Sequence, residues 1–150
     1  MAEPMTALTD TLVSRLQRET LVLLNTIDAE TGAPTMNAIS WVYALDGKTI
    51  RFALDGRSRL IANIKANPNV TLSFFAGNQF LAVYGTARVV TEKMEEVPFK
   101  LACIEVEIRE VRDAMFYGAR ISALPEYEKT YDQRAADKLD GQVFEAMKKA

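Results

Sequence analysis

Histidine is absent from this 150-residue chain, and cysteine occurs once. Without histidine there can be no Ser-His-Asp or Cys-His triad, no histidine-ligated zinc and no histidine-ligated haem. The single Cys103 cannot close an internal disulfide, so a reducing compartment fits best, and its apolar neighbours read as core. No D-x-D-x-D-G loop is present, and no metal site is expected. Charge of one sign is also missing: the formal net charge of -2 leaves no basic field to draw the protein to nucleic acid. No apolar run approaches the ~20 residues that a membrane span needs. The first ten residues, with Glu3 and Asp10, lack the basic and apolar regions of a signal peptide. The expected location is therefore the cytoplasm, with no membrane partner. Any redox or group-transfer chemistry would belong to a bound cofactor.

What is present is an ordinary globular balance, 49% hydrophobic and 25% charged, at a length that fits a single domain over residues 1–150. Leu8, Leu12, Val13 and Leu16 recur at helical spacing and predict a helix over 8–18. Thr20 to Asp28 is strand-like and ends at the turn residues Glu30-Thr31-Gly32. From Met36 to Leu45 the pattern has period two, which predicts one strand. Asp46-Gly47 signals a hairpin, and Lys48 to Leu54 is the returning strand. Leu60, Ile61 and Ile64 mark a short helix that Asn67-Pro68 stops. Val70, Leu72 and Phe74 alternate in the next strand, while Gln79 to Thr91 forms a long one bent at Gly85. Ile104, Val106 and Ile108 face inward from a last strand, with Glu105, Glu107 and Arg109 on its solvated face. Tyr131, Ala135, Leu139, Val143 and Met147 give the tail a helical stripe. Strands joined by tight turns and bent at glycine predict a mainly β fold that closes on itself, flanked by helices.

Phe52 to Pro68 (FALDGRSRLIANIKANP) carries the chemistry. Ser58 is an N-cap candidate, and Arg57 and Arg59 flank it at the start of a helix. Helix N-termini favour anions, and guanidinium forks bind phosphate oxygens. The plainer alternative is a capped helix with solvated arginines, and the spacing alone favours it.

Residues 28–88 tip the balance. The run GAPTMNAISWVYALDGKTIRFAL, the GRSR turn, the passage NIKANPNVTLSF and the strand QFLAVYGTARVV resemble, in order and spacing, the pyridoxamine 5'-phosphate oxidase-like family of FMN-binding split barrels. The element order read above, six strands with an N-terminal helix, a short helix after strand 3 and a C-terminal helix, then becomes a six-stranded antiparallel split β-barrel. The resemblance also implies a homodimer with FMN at the subunit interface. Carried over residue by residue, Asn37, Ala38, Ile39, Ser40 and Trp41 line the flavin, and Phe52 and Ala53 match a Tyr-Thr pair beside its phosphate and ring. Arg57, Ser58 and Arg59 match the phosphate-binding run. Gln79 matches a glutamine that reaches the flavin from the other subunit.

Departures from the family pattern are as informative. Asn37, Val42 and Ala53 replace an arginine, a lysine and a threonine of the vitamin-metabolising oxidases, and the helix after Arg59 is one residue longer. The arginine and histidine segment that helps bind pyridoxal phosphate has no counterpart. Oxidation of pyridoxamine phosphate is therefore not expected. The expected function is an FMN-dependent oxidoreductase acting on a small molecule. The alternatives are a relative that binds a deazaflavin or haem, a non-catalytic flavin-binding stress or sensor protein, and a nucleic-acid-binding barrel, which the acidic charge disfavours. Trp41 reads as packing before stacking, and Phe74 as core.

Overall fold

The computed structural model describes residues 4–150. The helix α1 (Asp10–Arg15) is shorter than its periodicity suggests: Thr9 caps its start, and the chain tightens into a turn after Leu16. Seven strands follow: β1 (Val22–Ile27), β2 (Pro34–Ile39), β3 (Val42–Ala44), β4 (Thr49–Asp55), β5 (Asn69–Ala76), β6 (Gln79–Thr91) and β7 (Leu101–Asp113). The helix α2 (Arg59–Ala66) interrupts them after β4, and α3 (Gln133–Lys149) closes the chain.

The strand count corrects the six-strand expectation to seven. The period-two run from Met36 to Leu45 is two strands, broken at Ser40 and Trp41. The sheet order β2-β1-β5-β6-β7-β4-β3 gives the reason. β2 and β3 are the two edges of the sheet, yet only two residues separate them in sequence. The sheet must therefore curl until its edges meet, and the chain steps across the gap at Ser40-Trp41. Alternation of side chains does not register the step, because each half keeps the extended backbone of a strand. All pairings are antiparallel, so mainly β, antiparallel and curled is the observed class.

The inner face of the sheet holds the main core. Leu24, Val42, Ile50, Phe52, Leu72, Phe74, Val83, Ile104, Val106 and Ile108 are all at most 1% exposed within one cluster. β6 and β7 are long enough to bend, and they do so where the register slips between Tyr84 and Gly85. A Cβ at Gly85 would sit 2.5 Å from the Glu107 carbonyl oxygen, so only glycine allows this approach.

β7 shows how the second layer forms. Ile104, Val106 and Ile108 alternate with exposed or half-buried residues as expected, but Leu101, Ala102 and Cys103 are buried consecutively. That segment is covered on both faces, because α3 packs on the outside of the sheet. Val143, Ala146 and Met147 bury Ala53, Leu101 and Cys103 in a second cluster. The helical stripe of the tail begins at Ala136, not at Tyr131 or Ala135, which are exposed. Asp132 caps α3, its carboxylate accepting from the Ala135 N–H at 2.9 Å. No helix among the described residues is long and apolar enough to cross a membrane. No group of three or more metal-donor side chains occurs among them either.

Candidate functional site

β4 ends at Asp55, and the chain turns through Gly56 and Arg57 into α2. Ser58 is the N-cap that its sequence position predicts: its Oγ accepts from the Leu60 N–H at 3.2 Å. α2 is held in place from its other flank. Asn63, 2% exposed, donates through Nδ2 to Thr26 Oγ1 at 3.1 Å and accepts from the Ala29 N–H at 2.9 Å. Those two bonds tie the helix to β1 and the β1–β2 turn, which fixes where its N-terminus points.

Around that N-terminus the cations gather. Arg57 closes back on Asp55, with Nε at 3.2 Å from Oδ1 and Nη2 at 3.3 Å from Oδ2. The side-chain and backbone hydrogen bonds from Arg57 hold the Asp55 carboxyl below its usual range. Arg59 is exposed, and its charge reaches Asp28 across the turn. The Asp28 carboxyl is lowered chiefly by backbone N–H bonds from Thr31 and Glu30, with Arg59 adding to them. The sequence reading missed a third cation. Lys100 pairs its carbonyl with the Gly56 N–H at 2.9 Å, and its stem lies 2.7–3.0 Å from where a Gly56 Cβ would stand. Only the β4–β7 register, which sets Asp55 opposite Leu101, brings Lys100 here.

The donor set fits a phosphate. Two guanidinium groups, the neighbouring lysine and a capped helix start face solvent with two carboxylates beside them, Asp55 already engaged by Arg57 and Asp28 held mainly by backbone N–H groups. Arg57 is 89% exposed at its side chain, so an incoming anion meets it without opening the core.

The remaining predicted residues fall into three groups. Asn37 and Ala38 are exposed on the edge strand β2, with Ile39, Ser40 and Trp41 half-buried at its end. Phe52 faces inward and is fully buried in the main core, so its side chain is unavailable to a ligand. Ala53 points outward but is 4% exposed, because α3 lies over it. Trp41 and Ala53 are brought together: the Ala53 N–H donates to the Trp41 carbonyl at 3.0 Å. Gln79 is exposed at the tip of the β5–β6 hairpin, beside the stacked rings of Phe75 and Phe80, 4.4 Å apart. Among the described residues no hydrogen bond joins Gln79 to the Arg57–Arg59 turn. Five surface grooves of 40–440 Å³ are lined by none of these predicted residues.

Other expectations resolve simply. Phe74 is core, at 1% exposure. Glu105 is not free on a solvated face: Arg51 and Arg88 hold its two carboxylate oxygens at 3.1 and 2.7 Å. Trp41 packs, at a ring separation of 6.4 Å from Phe99, and donates its indole N–H to Asp140.

A curled antiparallel sheet whose edge strands are joined by a two-residue step, with a cation-flanked helix start beside β4, defines the small split-barrel class. The sequence model of the pyridoxamine 5'-phosphate oxidase family matches residues 8–124, and the chain belongs to that family. No protein of curated function matches the sequence. Solved structures share the fold. An F420 reductase superposes with a TM-score of 0.56 at 22% identity, covering 66% of this chain and 94% of that one. HupZ of Group A Streptococcus gives 0.58 at 14%, covering 77% and 100%. An FMN-binding protein from Syntrophomonas wolfei subsp. wolfei gives 0.56 at 15%, covering 70% and 87%. At these identities the likeness is one of fold alone.

Proposed function

We propose that this protein binds FMN by its phosphate at the β4–α2 turn and acts, as a homodimer, as an FMN-dependent oxidoreductase on a small molecule. The observation that carries the reading is the cluster of Arg57, Arg59 and Lys100 around the capped start of α2, positioned by Asn63 and by the β4–β7 register. Bound there, FMN would supply the hydride or electron transfer that no side chain of this chain provides. Arg59 and Lys100 would hold the phosphate charge, Arg57 would be shared between phosphate and Asp55, and the Ser58 hydroxyl would cap the helix that points at it. Homodimerisation rests on the family match and on Gln79, which lies exposed at the tip of the β5–β6 hairpin, where a second subunit can reach it. Met36, 61% exposed on edge strand β2, gives that edge an apolar residue for a second subunit to cover.

A second reading is a deazaflavin in the same place. Asn37 and Val42 replace two cations of the vitamin-metabolising oxidases, which relaxes selection for FMN, and a deazaflavin cofactor also carries phosphate. The F420 reductase among the structural neighbours is in keeping with it. Haem is disfavoured, since no histidine exists to ligate iron.

The visible spectrum of freshly purified protein tests the proposal. Yellow protein with flavin bands, or a thermal midpoint raised by added FMN and not by deazaflavin or haem, is the expected result. Colourless protein that FMN neither colours nor stabilises overturns it.

A further inference from the structure

The outer face of β3 and β4 is already covered by the chain's own C-terminal helix. Val143 and Met147 are fully buried against Ala53, Leu101 and Cys103, with Ala146 at 7% exposure beside them. Phe144 sets its ring edge-on to Tyr43 at 6.3 Å. Polar bonds fix the rest. Asp140 takes the Trp41 indole N–H on Oδ1 and the Lys129 ammonium on Oδ2, both at 2.8 Å, and Lys129 also pairs with Glu19. Arg51 donates Nη1 to the Met147 carbonyl at 2.8 Å.

Trp41 and Ala53 therefore have two claimants. They are the residues that the proposed cofactor site needs beside a phosphate held at Arg57–Arg59, and α3 buries Ala53 and ties down the half-buried Trp41 through Asp140. We infer that α3 is a displaceable cover, and that docking of α3 and seating of a flavin ring on the Trp41–Ala53 face exclude one another. This inference rests on the flavin reading above.

The way α3 is attached supports release without unfolding. It contributes no strand to the sheet, and the stretch from residue 114 to 132 that tethers it to β7 contains no helix or strand. That stretch gives α3 length in which to swing away. The main core, on the inner face of the sheet, does not depend on it. Lifting α3 exposes Ala53, Leu101 and Cys103, and the ring of a bound flavin would re-cover apolar surface that α3 leaves. The observed affinity is then the intrinsic affinity reduced by the fraction of molecules with α3 released.

The test uses the full-length protein, with FMN affinity read from flavin fluorescence and α3 docking read from hydrogen exchange of the 133–149 amides. FMN is expected to speed exchange in α3 while leaving β1 protected. Asp140→Ala, which removes the Trp41 and Lys129 bonds, is expected to tighten FMN binding about tenfold. Phe144→Ala provides a second release variant that keeps the polar bonds and should shift affinity in the same direction. FMN binding with α3 exchange unchanged or slowed, and with both variants within about twofold of wild type, overturns the cover and leaves the flavin site standing. Failure of wild type and both variants to bind FMN at all overturns the flavin reading and the cover together.

Discussion

Trp41 and Asp140 stand 99 residues apart in sequence and are joined by a 2.8 Å hydrogen bond from the indole N–H to the carboxylate. Trp41 sits at the step where the chain crosses between the two edges of the sheet, and Asp140 lies within the helix that covers the neighbouring face. One bond thus connects the seam of the curled sheet to the C-terminal layer.

The phosphate assignment predicts a contrast between two cations on one short helix. Arg59→Ala should weaken FMN binding about tenfold, the cost of one charge-assisted contact. Lys65→Ala should leave affinity within about twofold, because Lys65 pairs with Glu92 at 3.0 Å on the solvent side. Equal affinities for the two variants, read by flavin fluorescence titration, would remove the turn as the anion site.

Asn63→Ala should destabilise the fold by about 1–3 kcal/mol, since it strands the Ala29 N–H and removes one partner of Thr26 in a buried position. Thr26 keeps Thr35 as a partner at 2.8 Å, which holds the loss toward the lower end. Urea denaturation measures it. A shift too small to resolve would mean that α2 is positioned by its apolar face alone.

Gly85→Ala should cost about 1–3 kcal/mol or more, because the new methyl meets backbone at Glu107 that cannot rotate away. The bend in β6 would have to open, and the thermal midpoint should fall. A variant as stable as wild type would show that the bend relaxes freely.

Burial pushes the Cys103 thiol up to about 11 from an ordinary value of 9.0. Native protein should therefore resist alkylation at pH 8, while denatured protein reacts at once. The sign for stability follows from proton counting. Between pH 9 and 11 the unfolded thiol ionises while the folded one stays protonated, so the unfolded state binds fewer protons. The contribution is whole below pH 9 and is lost as pH rises toward 11. Rapid alkylation of the native protein would indicate that α3 is already released.

Much of this architecture is readable in the order of residues. The Ser58 cap, the stop at Asn67-Pro68, the bend at Gly85 and the inward Ile104-Val106-Ile108 stripe each depend on local hydrogen bonding, sterics or period-two alternation. The Arg57–Arg59 turn was legible as a capped, cation-flanked helix start for the same reason, since a strand end, a glycine and a cap lie within a few positions. Phe52 was not, because matching a family position does not say which way a strand side chain points. It faces the core.

What the sequence determined by itself is therefore the local grammar: where α2 is capped and stopped, where β6 bends, and which face of each strand turns inward. Only the tertiary structure decided that the Met36–Leu45 run splits at Ser40-Trp41, that Lys100 joins the Arg57–Arg59 turn, and that α3 lies over Ala53. Those outcomes depend on pairings between distant segments, such as Asp55 with Leu101, and on closure of the sheet edges. Neither a helical nor a strand period carries information about which distant segment will be the neighbour, because periodicity records burial and not the identity of what buries it.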